Sequence, residues 1–388
     1  MGTSDRLVYL DHSATTPVDP RVVSAMAPYW SEVFGNSQSS HAFGLAAADA
    51  LERARQMVAG VLGCRPAEIL FAGSGTEADN LALRGVAWAA RRSGRGNHIV
   101  ATPVEHYAVG HTLDQLCDLF GFEVSRVPVD GCGRVDPRDV ADAIRPDTVL
   151  VSVVMANNEV GTVQSMVRIG RVCREHEVPF HTDAIQAAGR LPLEPGDMHV
   201  DLLALSAHKF YGPKGVGVLY VRRGTPFEPS ITGGAHERGR RPGTVNVAGA
   251  VGLATALRLA EDERVAEMRR LRRLRDLLIE GVLERVPDSR LTGHPRHRLA
   301  HHASFAFRGV EGSALVLDLD VQGIAVSSGA ACAEGEPEPA FVLSAMGFSP
   351  EWSIGGVRLT LGHANGEEDV ARVVEVLPDT VRRLRAGG

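Results

Sequence analysis

The sequence predicts an α/β protein in which a large, doubly wound, mostly parallel sheet is followed by a smaller α+β unit. Up to about residue 220, apolar runs of strand length alternate with amphipathic helical segments. This alternation is typical of a parallel sheet with helices on both faces. The run 148–155 is apolar apart from Thr148 and Ser152, as expected of a central strand buried on both sides. After Tyr220 the pattern changes to a long helical region and a few strands.

The predicted elements follow one another in a regular order. The first helix is expected to begin at Asp19 and Pro20, because a capping residue followed by proline is a common helix start. Polar residues follow several strands at their carboxyl ends, where ligands of doubly wound sheets gather. Strands are predicted from residue 8 and over 68–72, 98–102, 123–128, 148–155, 179–186, 202–206, 216–221, 303–307 and 356–361, and helices over 44–62, 80–91, 106–120, 137–144, 169–176, 248–286, 313–319 and 367–385.

A chain of 388 residues is long enough for two domains. We expect residues 17–258 to form the large α/β domain and residues 259–388 the smaller C-terminal α+β domain. Residues 1–16 are expected to join the two.

Composition narrows the class of protein. A hydrophobic share of 44% with 23% charged residues is ordinary for a globular protein, and a net charge of −6 gives no sign of direct nucleic-acid binding. No apolar run reaches the roughly 18 residues that a membrane span needs, and the first residues lack the apolar core of a signal peptide. The sequence therefore predicts a cytoplasmic protein that does not bind membranes.

Neither a disulfide framework nor a metal site is expected. The five cysteines are widely spaced and form no Cys-x-x-Cys pair. Four histidines lie close together in the sequence, but no carboxylate or thiol completes a ligand set with them. They are His294, His297, His301 and His302.

Lys209 is the strongest candidate for a catalytic residue. Lys209 and Lys214 are the only lysines in the chain, and all other residues of the Lys+Arg count are arginine. A lysine amine can lose its proton when desolvated and condense with a carbonyl, which a guanidinium cannot do. Lys209 ends a predicted strand and is interpreted as a Schiff-base lysine for pyridoxal phosphate (PLP). The alternative, a surface lysine in a turn, suits Lys214 better because it lies between Pro213 and Gly215.

The remaining requirements of PLP chemistry are also met by candidates at strand ends. The glycine-rich turn 73–80 leads from a strand into a helix, and such a turn presents backbone N–H groups to a phosphate, although helix caps look similar. Asp183 is the candidate carboxylate for the pyridine nitrogen, Gln186 for the ring hydroxyl, and His106 for the ring face. The phosphate ligands are expected to be Gly75, Thr76, Ser206 and His208.

Taken together, several motifs give the chain a specific resemblance that extends nearly from end to end. The motifs are YLDHSATTP (9–17), GTEADN (75–80), EH (105–106), NNEVG (157–161), HTDAIQ (181–186), SAHKFYGPKG (206–215), RPGT (241–244), SSGAAC (327–332) and VRLTLG (357–362). With them the chain resembles the cysteine desulfurases, which belong to the class V aminotransferase group and have PLP fold type I.

The resemblance implies a role for each candidate residue. Lys209 is bonded to PLP, Asp183 pairs with the pyridine nitrogen, and Gln186 and His106 contact the ring, as above. Arg358 binds the carboxylate of L-cysteine, assisted by Asn157, which also lies at the cofactor. Thr244 completes the phosphate site of the neighbouring subunit, so the resemblance implies a homodimer.

The resemblance assigns the decisive step to Cys332. Its thiolate attacks the sulfur of L-cysteine, which leaves a persulfide on Cys332 and releases L-alanine. The persulfide then passes to a protein sulfur acceptor or scaffold, as in iron–sulfur cluster assembly or tRNA thiolation. Because three carboxylates follow Cys332 closely in the sequence, we expect either that this acceptor presents a basic surface or that the enzyme serves a specialised sulfur pathway. The carboxylates are Glu334, Glu336 and Glu338.

Two other interpretations remain open at this point. A selenocysteine lyase or another PLP-dependent β-elimination enzyme would keep the fold but would not need Cys332. A catalytically silent assembly partner is disfavoured by the complete set of catalytic side chains.

Overall fold

The structure is a computed structural model that describes residues 7–387, apart from 330–331, 334–335 and 338–339. For residues 332–333 and 336–337 it describes the backbone alone. The predictions for the Cys332 thiol and for the side chains of Glu334, Glu336 and Glu338 therefore lie outside the described residues.

The strands form one large sheet, one smaller sheet and two short pairs. The large sheet has seven strands in the order β2-β8-β7-β6-β5-β3-β4, and β8 alone among them runs antiparallel to its neighbours. In chain order the strands are β1 (Val8–Tyr9), β2 (Ile69–Ala72), β3 (His98–Ala101), β4 (Glu123–Arg126), β5 (Thr148–Ser152), β6 (Phe180–Asp183), β7 (Leu202–Ser206), β8 (Gly217–Val221), β9 (Ser289–Leu291), β10 (His302–Phe307), β11 (Ile324–Ala325), β12 (Ser327–Ser328), β13 (Cys332–Ala333), β14 (Glu336–Pro337) and β15 (Gly356–Thr360).

Helices cover both faces of the large sheet. In β7, Leu203 and Leu205 point into a core shared with α3, α7 and the first part of α8, whereas Leu202 and Ala204 point into a core shared with α4 and α5. The α-helices are α1 (Pro20–Met26), α2 (Pro28–Ser31), α3 (Ala42–Leu62), α4 (Gly75–Ser93), α5 (Tyr107–Phe120), α6 (Pro137–Ala143), α7 (Met166–Glu175), α8 (Val247–Arg285), α9 (Gly312–Val321), α10 (Phe341–Ala345), α11 (Pro350–Ser353) and α12 (Glu367–Gly387).

The C-terminal part of the chain builds a second sheet with its own core. Its strands lie in the order β12-β15-β10-β9, and all pairs are antiparallel. Residues of α9, α12 and the second part of α8 pack against this sheet. The N-terminal segment joins the same core through Val8 and Leu10, and β1 pairs with β11.

The structure places two helix starts three or more residues earlier than the sequence predicted. α4 begins at Gly75 rather than Asn80, because the hydroxyl of Ser74 accepts a hydrogen bond from the Glu77 backbone N–H (3.0 Å) and caps the helix there. α7 begins at Met166 rather than Ile169. Over residues 7–387, with the gaps stated above, no helix is both long and apolar enough to cross a bilayer.

Candidate active site

A cavity of about 370 Å³ opens where the carboxyl ends of β5, β6 and β7 meet the start of α4. Polar side chains from both sheets and from the N-terminal segment converge on it. Nine of the predicted site residues line this cavity: Gly75, Thr76, His106, Asp183, Gln186, Ser206, His208, Lys209 and Arg358.

Lys209 ends the short 3-10 turn Ala207–Lys209 that directly follows β7. Its Nζ donates hydrogen bonds to the backbone oxygens of Ser13 (2.7 Å) and Ala14 (2.6 Å). Burial, together with the nearby guanidinium groups of Arg358 and Arg190, lowers the pKa of Lys209 to about 8. The amine can therefore exchange protons near physiological pH.

The start of α4 forms a cradle for an anion. Backbone N–H groups in the first turn of a helix have no partners within the helix, and the helix dipole adds partial positive charge there. A Cβ atom at Gly75 would lie 2.3 Å from Cδ1 of Ile185, so only glycine leaves this wall open. Burial lowers the pKa of His208 to about 4, with Lys209 and Lys214 adding to the effect, so its imidazole is neutral.

Asp183 and Gln186 lie at and just beyond the end of β6. Oδ1 of Asp183 accepts a hydrogen bond from the Ile185 backbone N–H (2.9 Å), and burial raises the pKa of Asp183. Nε2 of Gln186 donates to the Ser13 backbone oxygen (2.8 Å). Its Oε1 is buried and has no hydrogen-bond partner within the described part of the chain.

His106 closes the cavity from the start of α5. Its Nδ1 accepts a hydrogen bond from the Ala108 backbone N–H (3.1 Å), which caps the helix and fixes the ring.

Arg358 reaches the cavity from β15 of the smaller sheet. Its Nη2 donates to Oδ1 of Asp11 (2.9 Å), and its Nη1 donates to Oε1 of Glu159 (3.1 Å). The Nε atom is buried and has no hydrogen-bond partner among the residues that the structure describes. The guanidinium is thus held by two carboxylates and retains donor capacity, since arginine carries five N–H donors.

Three predicted residues are not placed at the cavity wall. The Asn157 amide is buried, with its Nδ2 donating to Val104 O (2.9 Å) and its Oδ1 accepting from the backbone N–H groups of Glu159 (2.8 Å) and Val160 (2.9 Å). These bonds turn Asn157 away, and Asn158 lines the cavity instead. Thr244 is exposed and is not part of the cavity lining of its own chain. The Cys332 thiol lies outside the described residues.

Sequence reasoning missed the part that the N-terminal segment plays. Ser13 and Ala14 line the cavity, and their backbone oxygens hold Lys209. The motif at residues 9–17 marks this segment, but contacts made by backbone carbonyl groups do not depend on side-chain identity and cannot be predicted from it.

Comparison with known proteins places the chain in a family. Residues 8–373 match the family "Aminotransferase class-V". "Cysteine desulfurase IscS" from Methanosarcina thermophila is 46% identical over 385 residues, which cover 99% of this chain and 94% of that protein. The chain belongs to the cysteine desulfurase family. A second relative of the same name, from Dictyoglomus turgidum, is 44% identical over 383 residues and covers 98% of this chain and 96% of its own length.

Solved structures of cysteine desulfurase relatives agree with this assignment. A protein described as NifS-like superposes with a TM-score of 0.91 at 37% identity, covering 98% of this chain and all of its own. A structure described as SspA in complex with cysteine has a TM-score of 0.80 at 32% identity, covering 91% of this chain and 98% of its own. The predicted fold class, PLP fold type I, is confirmed.

Proposed function

We propose that this protein is a PLP-dependent cysteine desulfurase that converts L-cysteine to L-alanine and forms a persulfide on Cys332. The observation that carries the proposal is the convergence of Lys209, Asp183 and Arg358 on one cavity at the carboxyl ends of the strands. A covalent anchor, a counter-ion for a pyridine nitrogen and a carboxylate-binding guanidinium are the groups that amino-acid chemistry on PLP requires.

The residues of the cavity fit PLP. Gly75 and Thr76 at the start of α4, with Ser206 and His208, would hold its phosphate, and Asp183 would face the pyridine nitrogen. The unpaired Oε1 of Gln186 marks a buried polar group that still has bonding capacity next to the ring position proposed for it. His106, fixed by its helix cap, would stack on the ring. When bound, PLP would act as an electron sink for negative charge at the substrate α-carbon.

Two of the residues would bind the substrate and take its proton. Arg358 would hold the carboxylate of L-cysteine through the donor capacity that Asp11 and Glu159 leave. Lys209, with a pKa of about 8, would accept the α-proton in its neutral form. The buried amide of Asn157 would act indirectly, by fixing the turn that presents Asn158 to the cavity.

Cys332 would be the nucleophile. Its thiolate attacks the substrate sulfur, the carbon–sulfur bond breaks, and protonation of the substrate carbon yields alanine. L-Cysteine and one thiol thus give L-alanine and one persulfide, so no external oxidant or reductant is needed. A sulfur acceptor protein or scaffold, in iron–sulfur cluster assembly, tRNA thiolation or another sulfur pathway, would then take the terminal sulfur.

We further propose that the protein acts as a cytoplasmic homodimer with no direct contact to nucleic acid or membrane. The exposure of Thr244 supports a role in the site of a second subunit rather than in its own.

The test is L-alanine production from L-cysteine by the wild type, Cys332→Ser and Cys132→Ser. Absorbance of the lysine-bound cofactor first establishes that PLP is present. Cys332→Ser should abolish alanine formation, whereas Cys132→Ser, which changes a partly buried cysteine of a different loop, should retain it. Unchanged alanine formation by Cys332→Ser would contradict the proposal, and a wild type that acts on selenocysteine but not on L-cysteine would indicate a lyase.

A further inference from the structure

A group of buried titratable side chains lies behind Asp183, and the roles proposed above leave it unused. His181 precedes Asp183 by two residues in β6, so both side chains point to the same face of the sheet. That face is covered by α4, and Nε2 of His181 lies 3.4 Å from Oδ1 of Asp79 in this helix. Asp79 and His181 are both completely buried.

The hydrogen bonds of this group are unevenly distributed. Asp183 accepts a backbone N–H, and Nδ1 of His181 lies 2.9 Å from the hydroxyl oxygen of Ser152. Neither carboxyl oxygen of Asp79 has a hydrogen-bond partner among the described residues. A completely buried carboxylate without donors or counter-ion is strongly disfavoured, so Asp79 must be protonated or paired with a protonated His181.

We propose that Asp79 and His181 share one bound proton near neutral pH, which makes their pair electrically neutral and leaves Asp183 as the ionised carboxylate of the cluster. The pair is neutral wherever the proton resides, because a carboxylic acid beside a neutral imidazole and a carboxylate beside an imidazolium have the same net charge. Asp79 and His181 are thereby positioning residues for Asp183. The link to the pyridine nitrogen rests on the proposed function, but the stored proton does not.

The surrounding charges support this arrangement. The titratable groups that face Asp79 are His181 and Asp183 from β6 and Glu105 from the loop after β3. Burial, with repulsion from Asp183 and Glu105, raises the pKa of Asp79 well above its usual value, and burial lowers the pKa of His181 to about 3, so both shifts disfavour a net charge on either group. Burial also raises the pKa of Glu105 to about 8. Burial raises the pKa of Asp183 as well, but His106, the Ile185 backbone N–H and Lys209 oppose that rise, and Asp79 has no such neighbours.

Infrared spectroscopy tests the stored proton directly. The full-length protein as purified is compared with Asp79→Asn near neutral pH. The difference spectrum should contain the C=O stretch of a protonated carboxylic acid that disappears in the variant. Loss of carboxylate bands instead, with no carboxylic acid band, would overturn the proposal unless imidazolium bands of His181 disappear with them.

The pH dependence of stability gives a second readout. Asp79 has a raised pKa in the folded protein, so the stability it contributes is complete below the ordinary value of 3.8 and declines as pH rises toward the folded-state pKa. Asparagine does not titrate. The Tm of Asp79→Asn relative to wild type should therefore increase from about pH 6 to about pH 8. A difference in Tm that is constant over this interval would overturn the proposal.

The cofactor spectrum tests the link to Asp183. Asparagine beside a neutral His181 is as uncharged as the proposed pair, so in Asp79→Asn the pH midpoint of the absorbance band of the lysine-bound cofactor should remain where it is in the wild type. A midpoint lower by about one unit or more would show that the Asp79–His181 pair carries a net negative charge and would overturn the proposal. Asp79→Leu should lose cofactor on dialysis about tenfold faster than Asp79→Asn, because the leucine leaves His181 without its polar neighbour. Equal loss from both variants would refute the positioning role.

Asp201→Asn is the matched control for the spectrum, because this buried carboxyl lies just before β7, at the far end of that strand from Lys209. A wild type without any cofactor band would refute the proposed function. The infrared and Tm measurements would still test whether Asp79 and His181 share a proton, because they do not depend on the cofactor.

Discussion

Lys209 occupies a position in which two opposing influences act on one amine. The backbone oxygens of Ser13 and Ala14 favour the charged form by accepting its protons, at 2.7 and 2.6 Å. Burial and the charges of Arg358 and Arg190 favour the neutral form. These effects outweigh the hydrogen bonds, so the pKa of Lys209 falls to about 8. The same two hydrogen bonds hold Nζ at the cavity, so they determine the orientation of the amine more than its protonation state.

This balance predicts a measurable property of Lys209. Reductive methylation of the cofactor-free protein, followed by mass spectrometry, reports the neutral fraction of its amine. At about pH 7.5 an amine with a pKa of about 8 has roughly 200 times the neutral fraction of one with the reference pKa of 10.5. Labelling of Lys209 should rise with pH to a midpoint near 8, because the amine reacts only in its neutral form.

The variant Lys214→Arg is the control for this measurement, since it leaves Lys209 as the single lysine of the chain. Its labelling curve should coincide with that of Lys209 in the wild type. A labelling midpoint near the ordinary lysine pKa of 10.5 would contradict the lowered pKa of Lys209.

At the scale of elements, the positions of strands and helices were largely predictable, and the reason is local. Burial requires largely apolar residues in strands such as 148–155 and allows polar residues just after them. The spacing of apolar residues in the sequence therefore indicates where these elements lie. The start of α4 was placed too late because glycine at residues 73 and 75 suggested a turn. The Ser74 cap, which depends on a side-chain contact, moves the helix start to Gly75.

Site residues were predictable only where a side chain carries the role. The motif at residues 157–161 pointed to Asn157, but the direction of the turn decides whether Asn157 or Asn158 lines the cavity. Ser13 contributes a backbone oxygen from a segment 196 residues away from Lys209, and such a contact depends on tertiary packing alone. Arg358, in contrast, was predictable from its motif.

The early start of α4 leads to a prediction for Gly75. In Gly75→Ala the new Cβ would meet Cδ1 of Ile185 at 2.3 Å and Cβ of Ser206 at 3.0 Å, so both walls of the anion cradle must shift. Cofactor retention after dialysis should fall about tenfold or more, because the added methyl group overpacks the cradle, whereas the intrinsic helix propensity of α4 is not lowered, since alanine is a good helix former. Gly60→Ala in α3 meets nothing within 4 Å and should retain cofactor like the wild type. Equal cofactor retention by Gly75→Ala and Gly60→Ala would contradict the role of Gly75 in the anion cradle.

At the scale of the whole molecule, α8 connects two hydrophobic cores. Its buried residues fall into two groups. The first group ends at Leu257 and the second begins at Leu271. The first group packs in the core of the large sheet and the second in the core of the smaller sheet. This distribution supports the domain boundary proposed at residues 258 and 259. Arg358 belongs to the smaller sheet and Lys209 to the larger one, so the cavity depends on how the two parts pack.

Thr244 extends this dependence to a second subunit. The loop that carries it is tied to α4 of its own chain by the ion pair of Arg241 with Glu77 (2.7 Å), yet Thr244 itself is exposed. If Thr244 serves the partner's phosphate site, the location of a variant within a dimer matters. A dimer of one Lys209→Ala chain and one Thr244→Ala chain has one complete site, because the Thr244→Ala chain keeps its lysine and receives threonine from its partner.

The matched arrangement contains the same two substitutions on one chain. In a dimer of wild type with the Lys209→Ala, Thr244→Ala double variant, the site that keeps Lys209 receives alanine at position 244. Differently tagged chains, purified as mixed dimers, should therefore bind cofactor tightly at one site in the first arrangement and weakly in the second. If each chain completes its own site, the order reverses, since the wild-type chain of the second dimer would then be intact. The comparison thus decides between the two arrangements with identical composition in both samples.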